Sequence, residues 1–234
     1  MKKFGLVGGL GPISTLEYYK SIHDFYREKV ETTGMCASNP PMVIDSLDLA
    51  VAYDLVSRKD WNTLSEWLIA SIERLHGAGA EFAAIAANTA HIVFDEIQAG
   101  APIPVIGIVD ETCKFAHAKG LNKLILFGTG FTMESGMYEK ACAKVGIEAI
   151  VPSEEDQKII HNIIFPNLEA GIVLEEDKAA MLGIANKMLA AHQADALVLG
   201  CTELPLIIKE GDLDMVLIDT TQVHIEAILR EILS

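Results

Sequence analysis

The side chain with the most chemistry in this sequence is Cys201, in the run Gly200-Cys201-Thr202-Glu203-Leu204-Pro205. A buried strand opens into a loop there, which leaves a cysteine partly exposed beside free backbone N–H groups. Such a setting lowers a thiol towards neutrality from about 8.5 and makes it a candidate acid, base or nucleophile. The competing expectation is a buried, inert cysteine. The other cysteines are Cys36, Cys113 and Cys142, at successive spacings of 77, 29 and 59 up to Cys201. With no CxxC pair, a structural zinc site is excluded. Four cysteines in 234 residues do not make a disulfide scaffold. Cys36, Cys113 and Cys142 read as inert, the last two within helical stretches.

Three further turns carry polar groups. In Ala87-Asn88-Thr89-Ala90-His91, Asn88 and Thr89 offer an amide and a hydroxyl for a carboxylate or an ammonium, or simply cap a turn. His91 falls one turn into the following helix and reads as a packed or capping histidine rather than an acid/base. Gly128-Thr129-Gly130-Phe131-Thr132-Met133-Glu134-Ser135 has the form of an anion-binding strand-to-helix loop, with Thr129 and Thr132 as ligands. No Gly-Lys-Ser/Thr follows, so it is not a nucleotide-triphosphate loop. Gly8-Gly9-Leu10-Gly11 gives G-x-x-G without G-x-G-x-x-G or an acidic residue at the ribose distance, so a dinucleotide site is not expected.

These turns must be held by elements of a regular kind. Short apolar runs at 4–7, 82–86, 103–108, 124–127, 196–199 and 216–218 alternate with amphipathic stretches, which predicts parallel sheet wrapped by helices. Ser14 or Thr15 is expected to cap the first helix. From Trp61 to Gly77, the residues Leu64, Trp67, Leu68, Ser71, Ile72 and Leu75 share one helical face. The sequence also repeats. Lys3 to Gly8 aligns with Lys123 to Gly128 at an offset of 120, which also matches Tyr18 with Tyr138 and Lys20 with Lys140. Ala80 to Ala87 aligns with Ala194 to Cys201 at an offset of 114. Asp110-Glu111-Thr112 and Asp219-Thr220-Thr221 close the two segments. Any two βα units look somewhat alike, but the conserved order favours a duplicated, doubly wound α/β domain. The expected boundaries are 1–100 plus 210–234 for the first domain and 101–209 for the second. In such units the ligand lies at the carboxyl ends of the strands. Two related units facing each other would place position 87 opposite position 201 across a cleft.

Composition narrows the partners. There are 18 Lys+Arg against 33 Asp+Glu, a formal charge of −15, and half of the residues are hydrophobic. Intrinsic disorder is excluded by the apolar content. Binding to nucleic acid or an anionic membrane is not expected from so acidic a chain. No targeting segment or membrane-spanning run is visible, so a cytoplasmic location is expected.

Lys3 to Thr15 (KFGLVGGLGPIST), Ala87 to His91 (ANTAH) and Gly200 to Leu204 (GCTEL) together resemble the aspartate/glutamate racemase family. Tyr138-Glu139-Lys140 and the C-terminal Asp-Thr fit as well, so the resemblance spans the chain. It implies two pseudo-symmetric α/β domains, an interdomain site, a homodimer and no cofactor. It also implies that one cysteine removes the α-proton of an amino acid while the opposite one protonates the other face. Cys201 matches one of these. The other falls on Ala87, where the family has Cys in CNTAH. A methyl group moves no proton, so two-base racemisation is expected to be impaired. Either the change is an introduced Cys→Ala, which the match around position 87 favours, or the chain is a natural one-cysteine member. Relatives such as arylmalonate decarboxylase keep only the second cysteine, and some racemases carry Thr in the first position. The expected substrate-binding residues are Leu10, Asn88, Thr89, Thr129, Thr132 and Thr202, with the Gly8–Pro12 loop closing over the site. The Arg and Lys that bind the side-chain carboxylate in aspartate-specific members match Leu49 and Glu169, which puts aspartate specificity in doubt. Arg58 and Lys59 lie nearby as replacements. Three functions follow: an amino-acid racemase crippled at position 87, a one-cysteine decarboxylase or isomerase of a small carboxylic acid, or a non-catalytic binder of such molecules.

Overall fold

The computed structural model describes residues 1–30 and 38–234; Cys36 lies outside them. The chain forms two compact units, Met1–Ile108 with His224–Ser234, and Val109–Val223. The expected boundaries fall short of these. Edge strands set them: Val105–Ile106 still pairs with the first sheet and Val216–Asp219 with the second.

In the first unit the order is β1 (Phe4–Gly8), α1 (Pro12–Lys29), β2 (Met42–Ser46), α2 (Leu49–Ser57), α3 (Trp61–Gly77), β3 (Phe82–Ile85), a 3₁₀ turn (Thr89–Val93), α4 (Phe94–Gly100), β4 (Val105–Ile106) and the start of α5 (Ile108–Ala118). The second unit takes the rest of α5, then β5 (Lys123–Gly128), α6 (Gly130–Glu134), α7 (Met137–Lys144), β6 (Glu148–Ile150), α8 (Glu154–Ile164), a 3₁₀ turn (Leu168–Ala170), α9 (Glu175–His192), β7 (Ala196–Gly200), α10 (Leu204–Ile207) and β8 (Val216–Asp219). The last helix, α11 (Thr220–Leu233), begins in the second unit and ends in the first. The helices α5 and α11, which follow the edge strands β4 and β8, therefore belong mainly to the other unit.

Both sheets are parallel, in the orders β2-β1-β3-β4 and β6-β5-β7-β8. The registers repeat too. Val7 pairs with Ile85 in the first sheet and Phe127 with Leu199 in the second. These are the pairs related by the two sequence offsets, so residue 87 and residue 201 each stand two residues beyond equivalent paired positions, Ile85 and Leu199.

The central strands β1, β3 and β7 are buried throughout because helices cover both faces. One face of the first sheet presents Phe4, Leu6, Phe82 and Ala84 to Tyr18, Ile22 and Tyr26 of α1 and Ile225, Ile228, Leu229 and Ile232 of α11. Gly5 on the opposite face admits α3: a Cβ there would stand 3.1 Å from the Leu75 Cβ. The predicted α3 stripe packs inward at Leu64, Leu68, Ser71, Ile72 and Leu75, with Trp67 only half-buried. Each buried leucine contributes about 1.5–3 kcal/mol through its apolar area.

The start of α1 differs from expectation. Ser14 and Thr15 lie inside the helix, whose first position is Pro12, a residue with no N–H to satisfy. Their hydroxyls instead tie the loop to the sheet. Thr15 Oγ1 accepts from the Gly9 N–H at 2.8 Å, and Ser14 Oγ donates to the Ala86 carbonyl at 2.7 Å. Gly9 has φ +79°, and a Cβ on it would meet the Leu47 carbonyl at 2.1 Å, so this turn requires glycine.

Candidate active site

In the second unit β5 and β7 end side by side, with Gly128 paired to Gly200. Thr129 and Cys201 therefore emerge from adjacent strand ends. Thr129 N-caps α6, its Oγ1 accepting from the Thr132 N–H at 3.2 Å. It also donates to Thr132 Oγ1 at 3.2 Å. Thr132 is fully buried, so it braces the loop. Gly130 donates its N–H to His161 Nδ1 at 3.2 Å. Thr202 is half-buried, next to Cys201.

Cys201 is buried, at 8% exposure, not partly exposed as expected. Its Sγ donates to Glu203 Oε2 at 2.9 Å. Burial first, then the charge and hydrogen bond of Glu203, hold this thiol well above its ordinary range, and Glu169 adds to the effect. That reverses the expected lowering. The free N–H groups of a strand end are outweighed by two carboxylates and by desolvation. Glu203 itself is 1% exposed, and its Oε1 has no hydrogen-bond partner. Glu169, on the 3₁₀ turn after α8, is pushed up to about 7 by burial and then by the Glu203 charge. One ligand atom from each of Glu169, Cys201 and Glu203 lies within 4.8 Å of the others. A thiol and two carboxylates are donors a divalent cation accepts. Here the thiol already donates its proton to a hydrogen bond with Glu203.

In the first unit, Ala87 and Thr89 are half-buried and Asn88 is buried just beyond β3. His91 is packed, as expected. Its Nδ1–H donates to the Ala87 carbonyl at 2.8 Å, and its Nε2 accepts from the Ile108 N–H at 3.2 Å. Acceptance at Nε2 requires the neutral ring, and burial lowers its pKa to about 4. Its ring stacks on Phe94 at 4.9 Å. His91 therefore holds the backbone of position 87 as a neutral, packed ring. Deeper in the unit, Tyr18 donates to His224 Nδ1 at 2.7 Å, and His224 Nε2–H donates to the Ile106 carbonyl at 2.9 Å. Burial holds His224 neutral as well, down to about 3.

The carboxyl ends of β1 and β2 border a cavity of about 530 Å³ lined by Gly9, Pro12, Thr15, Leu16, Ser46, Leu47, Asp48 and Leu49. It contains Leu49 and Asp48 but no cationic side chain. Leu10 is half-buried in the adjoining loop and is not part of that lining. Arg58 is exposed and paired with Asp54 at 2.7 Å one turn back along α2, and Lys59 follows with φ +56°. Cys113 and Cys142 are buried on α5 and α7 with sulfurs 3.0 Å apart. Glu203 and Glu169 were given no part in the chemistry by sequence reasoning. The signal for Glu203 was a carboxylate two residues after the candidate thiol, beyond a buried strand. Glu169 was marked only as the position matching the family's carboxylate-binding Lys, not as a neighbour of Cys201, which lies far along the chain.

A family model described as Asp/Glu/Hydantoin racemase matches residues 7–228. The chain is similar to the structure of a candidate Asp/Glu racemase from Yersinia pestis, with 31% identity, 100% of both chains covered and a TM-score of 0.90. It is also similar to an aspartate racemase homologue from Pyrococcus horikoshii, with 32% identity, 100% of both chains covered and a TM-score of 0.85. The broad specificity amino-acid racemase RacX of Bacillus subtilis is 25% identical over 218 residues, 93% of this chain and 92% of that protein. No helix among the described residues is long and apolar enough to cross a membrane.

Proposed function

The chain belongs to the Asp/Glu/Hydantoin racemase family, and on that premise we propose that it is a cofactor-independent amino-acid racemase-type enzyme in which a single thiol, Cys201, moves the α-proton. The observation that carries this reading is the 2.9 Å contact between Cys201 Sγ and Glu203 Oε2 at the end of β7. A neutral thiol is an acid, and it becomes a base only if its proton has somewhere to go. Glu203 provides that place: the thiol proton moves to the carboxylate, and the thiolate then removes the proton from Cα. Negative charge develops on the substrate carboxylate as an enediolate forms. Asn88, Thr89, Thr129 and Thr202 are the polar groups assigned to the substrate's carboxylate and ammonium, with Thr132 bracing Thr129. The Leu10 loop closes over the bound molecule and excludes water. Return of the proton from the same sulfur restores the starting enantiomer.

Racemisation needs a second acid/base for the other face of Cα. The internal repeat makes residue 87 the equivalent of Cys201, and Ala87 offers only a methyl group. As written, the chain exchanges the α-proton from one side without inverting the carbon, whether Ala87 is native or introduced. Ala87→Cys tests this. The variant is expected to interconvert the two enantiomers, where the unaltered chain only labels one of them from heavy water. An Ala87→Cys protein that still labels but does not interconvert would sink the two-thiol equivalence.

A second reading rests on the acid form of Cys201. A thiol held protonated beside no opposing thiol suits delivery of a proton to one face of a carbanion left by decarboxylation or isomerisation. It predicts turnover of a malonate-type or unsaturated acid by the unaltered chain to a product of one handedness. Cys201→Ala would stop that turnover.

A further inference from the structure

Where does the substrate's side chain end, and what charge does it carry? Two places bear on this, one in each unit, and both are acidic. In the second unit, Glu169 and Glu203 each place an oxygen within 4.8 Å of the group that includes the Cys201 sulfur. No salt bridge among the described residues includes either carboxylate; Lys114, Lys123, Lys187 and Lys178 of that unit pair instead with Glu111, Glu148, Asp156 and Asp212. Glu203 is committed through Oε2 to the thiol, and its Oε1 is buried without a partner. In the first unit, the cavity at the ends of β1 and β2 is lined by Asp48 and Leu49 and by no cation. A second substrate carboxylate would find like charge in one place and no counter-charge in the other. A buried carboxylate facing like charge is disfavoured.

We propose that the substrate is an amino acid with a cationic side chain, an ammonium at the end of three or four methylenes, and that Glu169 is the residue that selects it. This rests on the assignment of Cys201 as the proton-transfer group. Distances allow it. A reacting Cα sits about 3.5 Å from the sulfur that takes its proton. With the 4.8 Å limit on the Glu169 oxygen, Cα and that oxygen are at most about 8 Å apart. A three-methylene side chain carries its nitrogen up to about 5 Å from Cα, which leaves room for one charge-assisted N–H···O bond of about 2.8 Å, and a four-methylene chain reaches the same point by bending. The α-ammonium alone does not satisfy the site, since it is a single cation for two carboxylates. A side-chain ammonium supplies the second and relieves the repulsion that Glu203 exerts on Glu169.

The test is calorimetric titration of the unaltered chain with lysine, ornithine, aspartate and glutamate at pH 8, paired with α-deuteration of the same four in heavy water. Lysine and ornithine are expected to bind at least about tenfold more tightly than the acidic pair, a difference of about 1.4 kcal/mol. Glu169→Gln should remove most of that preference, and Glu169→Lys should invert it towards aspartate. Equal or tighter binding of aspartate by the unaltered chain overturns the proposal. A lysine preference that survives intact in Glu169→Lys overturns it as well. Deuteration of aspartate or glutamate but not lysine sinks this inference and leaves the racemase reading standing. No binding and no deuteration of any of the four overturns both.

Discussion

Replacing Glu169 with Gln removes one of the two carboxylates beside Cys201 with almost no change of size. The carboxyl is pushed from 4.5 to about 7, first by burial and second by the charge of Glu203. Between those two values the folded chain binds a proton that the unfolded chain has lost. The stability associated with this group is therefore fully present below about pH 4.5 and is lost as pH rises through about 7. At about 1.36 kcal/mol per pH unit, the interval from 4.5 to about 7 bounds the loss at about 3.4 kcal/mol. Glu169 is only half-buried, and solvent screening reduces the expected loss to about 1–2 kcal/mol. Gln has no such titration. The two proteins should then unfold together near pH 4.5 and separate above pH 7, the variant being the more stable. For a chain of this size that is about 2–8 °C in Tm. Thermal unfolding followed by circular dichroism from pH 4.5 to 8.5 measures it. Parallel profiles across that range, or a variant that is less stable at pH 8, would refute the account of Glu169.

Gly9→Ala should lower stability by about 2–4 kcal/mol, because the left-handed backbone resists a side chain and the new Cβ meets the Leu47 carbonyl; urea unfolding checks it, and a neutral effect contradicts the turn assignment. Tyr18→Phe leaves His224 Nδ1 without its donor in a fully buried place, at a cost of about 1–3 kcal/mol. Both His91 and His224 are held neutral by burial, at about 4 and about 3, so the stability they contribute is present above about 6.5 and is lost as pH falls towards those values. Hydrogen exchange at pH 5 against pH 7 should accordingly show α11 losing protection before α9, and equal loss in the two helices would contradict this.

Much of the fold was legible because its central strands are apolar on both faces. The runs of β1, β3, β5 and β7 stand out in the sequence, and their offsets predicted the repeated registers. Edge elements were less visible. β6, three residues long, is too short for a period to register, and of the expected run 103–108 only the two residues of β4 form strand. At α1, the rule that Ser or Thr caps a helix gave way to Pro12, and the hydroxyls of Ser14 and Thr15 went to the neighbouring loop and strand. The site was half legible. The strand end picks out Cys201 and position 87, and a histidine following an apolar strand reads correctly as packed. The direction of the Cys201 pKa did not follow, because it depends on how deeply a loop is buried and on a carboxylate far away in sequence. Glu203 was in plain view beside the thiol, yet whether a carboxylate there faces solvent or the sulfur is decided by the turn into α10.

The central claim is that Cys201 alone carries the proton, from one face of Cα. The most direct measurement is the stereochemical course of α-deuteration. Each enantiomer of a substrate amino acid is incubated in heavy water with the unaltered chain, with Cys201→Ala and with Ala87→Cys. Deuterium uptake and optical purity are followed by mass spectrometry and chiral chromatography. The account predicts uptake by one enantiomer only, with retention, in the unaltered chain. It predicts none in Cys201→Ala, and uptake with inversion in Ala87→Cys. Inversion by the unaltered chain, or uptake that persists in Cys201→Ala, would contradict it.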